Sequence, residues 1–141
     1  MILHAGLIAL RCGRYWRGAL ITGASGAGKS DLALRALDFD FRLVADDRVA
    51  VWTSGGHLYG RCPETIEGLI EARGVGVLPA ATLEFCRIAL VVDCGGATDR
   101  LPEPEQENLL GAVVPRIRLS PLEASAPAKL GRALLHLGDR A

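Results

Sequence analysis

The sequence has no net charge, no long apolar run and no basic leader, and each absence excludes a class of protein. Among its 141 residues, 16 Lys and Arg balance 16 Asp and Glu. A chain without a global positive field does not attract nucleic acid or anionic lipid, so any polyanion must be bound at a local site. The longest apolar stretches, such as 88–92, fall far short of the ~18 residues of a membrane-spanning helix. The first four residues lack the regions of a secretory signal, so we expect a soluble cytoplasmic protein with no nucleic-acid or membrane partner.

The cysteines also lack a metal-binding arrangement. Cys12, Cys62, Cys86 and Cys94 form no CxxC pair or other metal-ligand spacing, and we interpret them as the reduced thiols of a cytosolic protein. Half of the residues are hydrophobic and 23% are charged, a composition that supports a buried core. This length fits one core, so we predict a single domain over residues 1–141.

The apolar pattern predicts an α/β fold with a mixed sheet. Only one strand–turn–helix–strand unit is visible, which favours a mixed sheet over an all-parallel one. The polar segment 98–108, with two prolines and four acids, is expected to be an exposed loop, whereas the pattern assigns no structure to 65–78. Strands are predicted at 2–10, 19–22, 43–45, 49–52, 57–60, 86–93 and 113–119, and helices at 30–37 and 127–137. The first two strands should form a hairpin around 11–17, and 49–52 and 57–60 a second one.

A glycine-rich motif follows the second predicted strand. Its eight residues match the P-loop pattern G-x-x-x-x-G-K-[ST] in full and run in the order Gly23, Ala24, Ser25, Gly26, Ala27, Gly28, Lys29, Ser30. In such a loop the glycines let successive N–H groups converge on phosphate oxygens, and the following helix adds its positive end. Lys29 can reach the outer phosphates and Ser30 can offer its hydroxyl to Mg²⁺. The motif therefore predicts a site for a nucleotide or another polyphosphate.

Two further groups of residues could act on that phosphate. Asp46 and Asp47 follow a short apolar strand and would lie beside the P-loop if the two strands were neighbours; a carboxylate there can hold Mg²⁺ or its water, or accept a proton. Adjacent side chains at a strand end point in different directions, so the two acids should have different roles. The alternative for either is a helix cap or a turn carboxylate. The segment 71–76, with Glu71 and two glycines, is by itself also compatible with a surface turn, and a lone histidine such as His4 or His57 is often a bystander.

Four blocks of sequence together resemble the catalytic domain of HPr kinase/phosphorylase, the bacterial enzyme that phosphorylates a serine of the phosphocarrier protein HPr. They are His4-Ala5, the P-loop with its preceding strand (20–30), the block RLVADD (42–47) and the block GLIEARGVGV (68–77). The last two, in this order behind a P-loop, are not shared by P-loop proteins at large. The resemblance covers residues 1–78, and the rest of the chain matches loosely.

The resemblance implies a P-loop fold akin to phosphoenolpyruvate carboxykinase, often in a hexameric assembly. It implies ATP and Mg²⁺ as cofactors, with Lys29 on the phosphates and Ser30 and Glu71 near the metal. Asp47 resembles the family's catalytic acid/base, His4 its active histidine, and Arg100 its downstream catalytic arginine. The same site would also run in reverse, in which inorganic phosphate attacks phosphoserine and gives pyrophosphate.

Two departures from the family pattern bear on function. Full-length members have a separate N-terminal domain, and this chain resembles the short forms of alphaproteobacteria, which consist of the kinase domain and act in signalling around a nitrogen-type phosphotransferase system. The family's segment tied to dephosphorylation has only a loose counterpart in 116–121. Two other hypotheses remain open: a P-loop kinase acting on a different protein or a small molecule, and a non-catalytic module that senses nucleotide through an oligomer.

Overall fold

More of the described residues lie in strands than in helices, and two helices pack against the main sheet. The structure is a computed structural model and describes residues 1–63, 68–95 and 99–136. The strands are β1 (Ile2–Leu3), β2 (Gly6–Cys12), β3 (Tyr15–Thr22), β4 (Arg42–Ala45), β5 (Val49–Ser54), β6 (His57–Arg61), β7 (Leu69–Ala72), β8 (Gly76–Pro79), β9 (Phe85–Asp93), β10 (Glu105–Leu109) and β11 (Ala112–Arg118). The helices are α1 (Lys29–Ala36), followed by a 3₁₀ turn at Leu37–Phe39, and α2 (Ala126–His136). None of the helices in the described ranges is long and apolar enough to cross a membrane.

Nine of the strands form one mixed sheet, as predicted. Its central order is β1-β5-β6-β9-β3-β2-β4, and β11 joins it through β9 and carries β10 on its other side. The pairs β3/β9 and β9/β11 are parallel, and the remaining pairs are antiparallel. Strands β7 and β8 form a separate two-stranded sheet.

The direction of the strands brings the carboxyl ends of several strands to one edge of the sheet. Strand β4 is antiparallel to β2, which is antiparallel to β3, so β3 and β4 run in the same direction with β2 between them. The sequence placed the two aspartates beside the P-loop if β3 and β4 were neighbouring strands. They are not neighbours, because β2 lies between them. The carboxyl ends of β3, β4 and β9 nevertheless meet at the same edge, which is where ligands bind in open α/β sheets.

The two faces of the sheet are covered in different ways. On one face, apolar residues of α1 and α2, such as Leu32 and Leu130, pack on alternate strand residues such as Ile21. The other face is lined by strand residues such as Leu20, and among the described residues no helix residue belongs to that cluster. Because β4 contacts β6 across this face, the sheet curls over its own apolar side chains. Truncating one of the fully buried leucines to alanine would cost about 2–5 kcal/mol.

Most of the predicted elements are confirmed, and two are wrong. The predicted strand 2–10 is interrupted at His4 and Ala5, because its first part pairs with β5 and its second with β3 and β4. The predicted loop 98–108 contains β10, since its polar residues pair with β11 along an exposed edge. Both hairpins are confirmed, although the first turns only at 13–14 and its strands extend through most of 11–17. Residues 65–67, 98 and 137 of the predicted segments lie outside the described residues.

Candidate active site

The P-loop connects β3 to α1 and is fixed by its own polar contacts. The amide of Ala27 donates to the carbonyl of Ala24 at 3.1 Å, which makes a turn within the loop. The amino group of Lys29 folds back to the carbonyl oxygens of Gly23 at 2.6 Å and Ala24 at 3.4 Å. The first amides of a helix have no intrahelical partner. The loop therefore holds a lysine ammonium next to the positive end of α1.

Two glycines of this loop have backbone conformations that favour glycine. Gly28 precedes α1 with a φ of 103°, and a Cβ there would lie 2.9 Å from Cδ2 of Leu122. Gly23 has a φ of 144°, and its Cβ would lie 3.2 Å from the Cβ of Cys94. Side chains other than hydrogen are strained in such conformations. The loop is therefore pressed at one end against the residue after β9 and at the other against the segment before α2.

The last residue of the P-loop motif contacts the first of the tandem aspartates. The Oγ of Ser30 donates to Oδ1 of Asp46 at 2.9 Å, although the two residues lie on α1 and just after β4. Asp46 is half-buried. A hydroxyl and a carboxylate joined in this way present two oxygen ligands of the kind that Mg²⁺ prefers. The contact places one predicted metal residue against another.

The second aspartate, Asp47, has a strained backbone. Its φ is 71°, and the amide of Arg48 donates to the carbonyl of Asp46 at 2.9 Å. A bond from residue i+2 to residue i around a positive φ is a γ-turn of the rare, strained kind. The carbonyl of Asp47 also accepts the amide of Ala5 at 3.1 Å, so the exposed His4 lies beside this turn. Strain of this kind is concentrated at functional sites.

Glu71 approaches the same edge from the separate hairpin of β7 and β8. It lies opposite Val77 in that hairpin, and both line a cavity of about 240 Å³ together with Asp46. The walls of this cavity include β4 residues and Thr82. Within the described ranges, no group of three or more His, Cys, Asp or Glu side chains is close enough to form a metal centre of protein ligands alone. Asp46 and Glu71, which are far apart in the sequence, thus line one cavity at this edge of the sheet.

Arg100 is not brought into this group. It is exposed in the segment that precedes β10. Within the part of the chain that the structure describes, no hydrogen bond or ion pair joins it to the P-loop or to the tandem aspartates. Its role remains a prediction from the resemblance.

An ion-pair network beside the P-loop was not predicted. Asp93 ends β9 next to Thr22 of β3 and forms ion pairs with Arg116 and, at 3.9 Å, Arg118. The amide of Gly95 donates to Asp93 at 2.8 Å, and this bond, with the two arginines, holds the pKa of Asp93 below its ordinary value although burial acts in the opposite direction. An acid at the end of the most apolar strand was the signal available in the sequence.

A second contact that the sequence did not reveal joins α1 to the segment before α2. The guanidinium of Arg35 donates to the carbonyl of Pro121 and, at 3.0 Å, to that of Glu123, and it also pairs with Asp31 at 2.8 Å. Arg35 therefore fastens this distant segment to the helix that follows the P-loop. No local pattern identifies such a contact, because its partners are main-chain carbonyls more than eighty residues away.

Comparison with known proteins assigns the family. Residues 3–94 match the model of the HPr Serine kinase C-terminal domain, a range that contains the P-loop, both aspartates and Glu71. The chain belongs to this family. The resemblance inferred from the sequence is thereby confirmed.

Relatives in the HPr kinase family have matching sequence and structure. The chain is 40% identical over 139 residues to an HPr kinase/phosphorylase of Azoarcus sp. (88% of this chain, 42% of the relative). It is 49% identical over 70 residues to that of Brevibacillus brevis (49% of this chain, 22% of the relative). The solved structure of the Hpr(Ser) kinase/phosphatase from Coxiella burnetii superposes with a TM-score of 0.79 at 25% identity, covering 99% of this chain and 96% of that one. The chain thus spans about two fifths of the length of the Azoarcus relative.

Proposed function

We propose that this domain is an ATP- and Mg²⁺-dependent protein-serine kinase that phosphorylates a serine of an HPr-like phosphocarrier protein. The observation that carries the proposal is the 2.9 Å hydrogen bond from Ser30 to Asp46, which joins the phosphate loop to the tandem acids in a chain of the HPr kinase family. The proposal includes the P-loop fold of the phosphoenolpyruvate carboxykinase type, a single catalytic domain over 1–141, a cytoplasmic location and a homo-oligomer, with a hexamer as in the family.

The residues at the sheet edge fit ATP and Mg²⁺. The glycine conformations of the loop and the helix start beside it suit bound phosphates, and Lys29 supplies a cation whose present partners are weakly basic main-chain carbonyls. Ser30 and Asp46 would hold the metal, and Glu71 lines the same cavity as Asp46. When bound, Mg²⁺ neutralises charge on the phosphates.

Asp47 is suited to proton transfer. It is exposed, follows Asp46 directly and does not share its hydrogen bond to Ser30. In the forward reaction, its carboxylate accepts the proton of the partner's serine as that oxygen forms a bond to the γ-phosphorus of ATP and the bond to ADP breaks. Lys29 stabilises the charge that develops on the transferred group. His4, held beside the Asp47 turn through the Ala5 amide, and Arg100 are the further catalytic residues that the family resemblance supplies.

The same acid can serve the reverse direction. Inorganic phosphate attacks the phosphorus of phosphoserine, and protonated Asp47 returns its proton to the departing serine oxygen, which gives serine and pyrophosphate. Microscopic reversibility allows one residue to act in both directions. We propose this phosphorylase activity together with the kinase activity.

The test is a labelling experiment with a chase. The purified chain is incubated with γ-labelled ATP, Mg²⁺ and an HPr-like protein, and inorganic phosphate is then added. Label on a partner serine supports the kinase, and its release as pyrophosphate supports the phosphorylase. Lys29→Ala is the control and should give no label.

Each other outcome changes the proposal. Label that stays on the partner would leave a kinase alone. ATP binding without transfer to any HPr-like protein would contradict the proposal and favour another substrate or a nucleotide-sensing role.

A further inference from the structure

The segment between β11 and α2 runs along the P-loop. At its beginning, the amide of Leu119 donates to the carbonyl of Asp93 at 3.0 Å, and Asp93 is paired with the last residue of β3. Towards its end, the carbonyls of Pro121 and Glu123 accept hydrogen bonds from the guanidinium of Arg35. The segment is therefore fixed to the sheet beside the start of the loop, at Asp93, and to the last turn of α1, the helix that follows the loop.

Within this segment, a tight turn presents an exposed leucine to the loop. The amide of Glu123 donates to the carbonyl of Ser120 at 3.3 Å, and the carboxylate of Glu123 accepts the amino group of Lys129 at 2.7 Å. Leu122 is 70% exposed, yet its Cδ2 lies 2.9 Å from the position that a Cβ on Gly28 would take. The fold thus holds a large apolar side chain in water, against the last glycine of the phosphate loop.

The two flanks of the loop differ in chemistry. On the flank toward β4, Ser30 contacts Asp46, where the metal and the transfer reaction are proposed. On the flank toward the turn, the contact is made by carbon atoms of Leu122 and Pro121. The loop amides and Lys29 recognise phosphate alone, whereas the base of a nucleotide is a flat ring that needs an apolar surface.

We propose that the turn 120–123 is the nucleoside-side wall of the phosphate site, and that Leu122 packs against the base of a bound nucleoside triphosphate. The site then selects nucleotides over bare polyphosphates. Arg35 acts as a positioning residue, because it holds the turn without reaching the ligand itself. This inference rests on the proposed nucleotide site.

The test compares two ligands that share their phosphates. Binding of ATP and of inorganic tripolyphosphate to the whole chain is measured by calorimetry with Mg²⁺. In Leu122→Ser, we expect the affinity for ATP to fall about tenfold, as for the loss of one partly buried leucine contact, and the affinity for tripolyphosphate to stay within about twofold of the wild type. Arg35→Gln should show the same selective loss, since it releases the turn.

The matched control is Leu110→Ser. Leu110 is also an exposed leucine in a turn, 48% exposed, but it precedes β11 and so lies at the opposite edge of the sheet. It should leave both affinities unchanged, and melting temperatures should show that all variants are folded.

The outcomes separate this inference from the function on which it rests. If Leu122→Ser weakens the binding of ATP and of tripolyphosphate equally, or weakens neither, the proposed contact between Leu122 and the base is wrong, while the phosphate site is unaffected. If the wild type binds neither ligand, the proposed function fails, and the inference fails with it.

Discussion

Asp47 offers the sharpest test, because its backbone and its carboxylate are expected to matter for different reasons. The γ-turn at this residue, with a φ of 71°, is strained for any residue with a side chain, but Asp and Asn adopt positive φ values more readily than Ala does, by about 1 kcal/mol. Asp47→Asn should therefore keep the stability of the wild type, whereas Asp47→Ala should lose about 1 kcal/mol. For a chain of this size, that loss corresponds to a melting temperature lower by about 4 °C.

Activity should follow a different order from stability. Removing a general acid/base costs about 10²- to 10⁴-fold in rate, so Asp47→Asn and Asp47→Ala should both lose transfer from labelled ATP to HPr to that extent. Nucleotide binding, measured by calorimetry, should be retained in both, since the loop contacts do not involve Asp47.

Asp40 provides a matched control. It is also exposed, with a φ of 68°, but it follows the 3₁₀ turn after α1, whereas Asp47 lies just after β4. Asp40→Ala should lower the melting temperature as Asp47→Ala does, and transfer should be unaffected. Equal stability of Asp47→Asn and Asp47→Ala would refute the backbone argument, and full transfer by Asp47→Asn would refute the assignment of the acid/base.

Three further experiments test the fold. The lowered pKa of Asp93 in the folded state stabilises the protein above the ordinary pKa of 3.8, and this stabilisation is lost as the pH falls through the folded pKa. Asp93→Asn should therefore unfold at a lower urea concentration than the wild type at pH 7, and the difference should shrink at acidic pH. A difference that does not change with pH would contradict this reasoning. Gly18→Ala should lower the free energy of unfolding, measured with denaturant, by about 2 kcal/mol, because the new Cβ would lie 2.5 Å from Sγ of Cys86 and 2.8 Å from the carbonyl oxygen of Arg87. Gly6→Ala should lower it by less than half as much, since the nearest atom to its Cβ would be 3.8 Å away. In the native protein a thiol reagent should modify the half-buried Cys62 first. Burial raises the pKa of the three other thiols, which are Cys12, Cys86 (to about 12) and Cys94 (to about 11). Equal modification rates for all four cysteines would contradict this prediction and show that the core opens readily.

The local features of the site could be predicted because they depend on neighbours in the sequence. The P-loop needs glycines at set positions between a strand and a helix, and residues 23–30 have glycine at those positions. Buried strands such as β9 are visible as apolar runs. The HPr kinase family, now assigned by comparison, was recognisable from the same short blocks.

Other features could not be predicted, because they depend on pairing between distant segments. The polar residues of β10 form a strand only because β11 offers them an edge. The insertion of β2 between β3 and β4 follows from the order in which strands pair, and this order decides that Asp46 meets Ser30 from two strands away.

The sequence by itself thus determined the phosphate loop, the acids that could act beside it and the mixed α/β class, since periodicity and backbone conformation are local properties. The tertiary structure alone decided that Asp93 pairs with Arg116, that Arg35 fastens the turn 120–123, and that Leu122 lies against Gly28. These contacts join groups that lie between 23 and 94 positions apart in the chain. They form only when burial of the apolar faces of the sheet and helices offsets the conformational entropy lost in bringing those segments together.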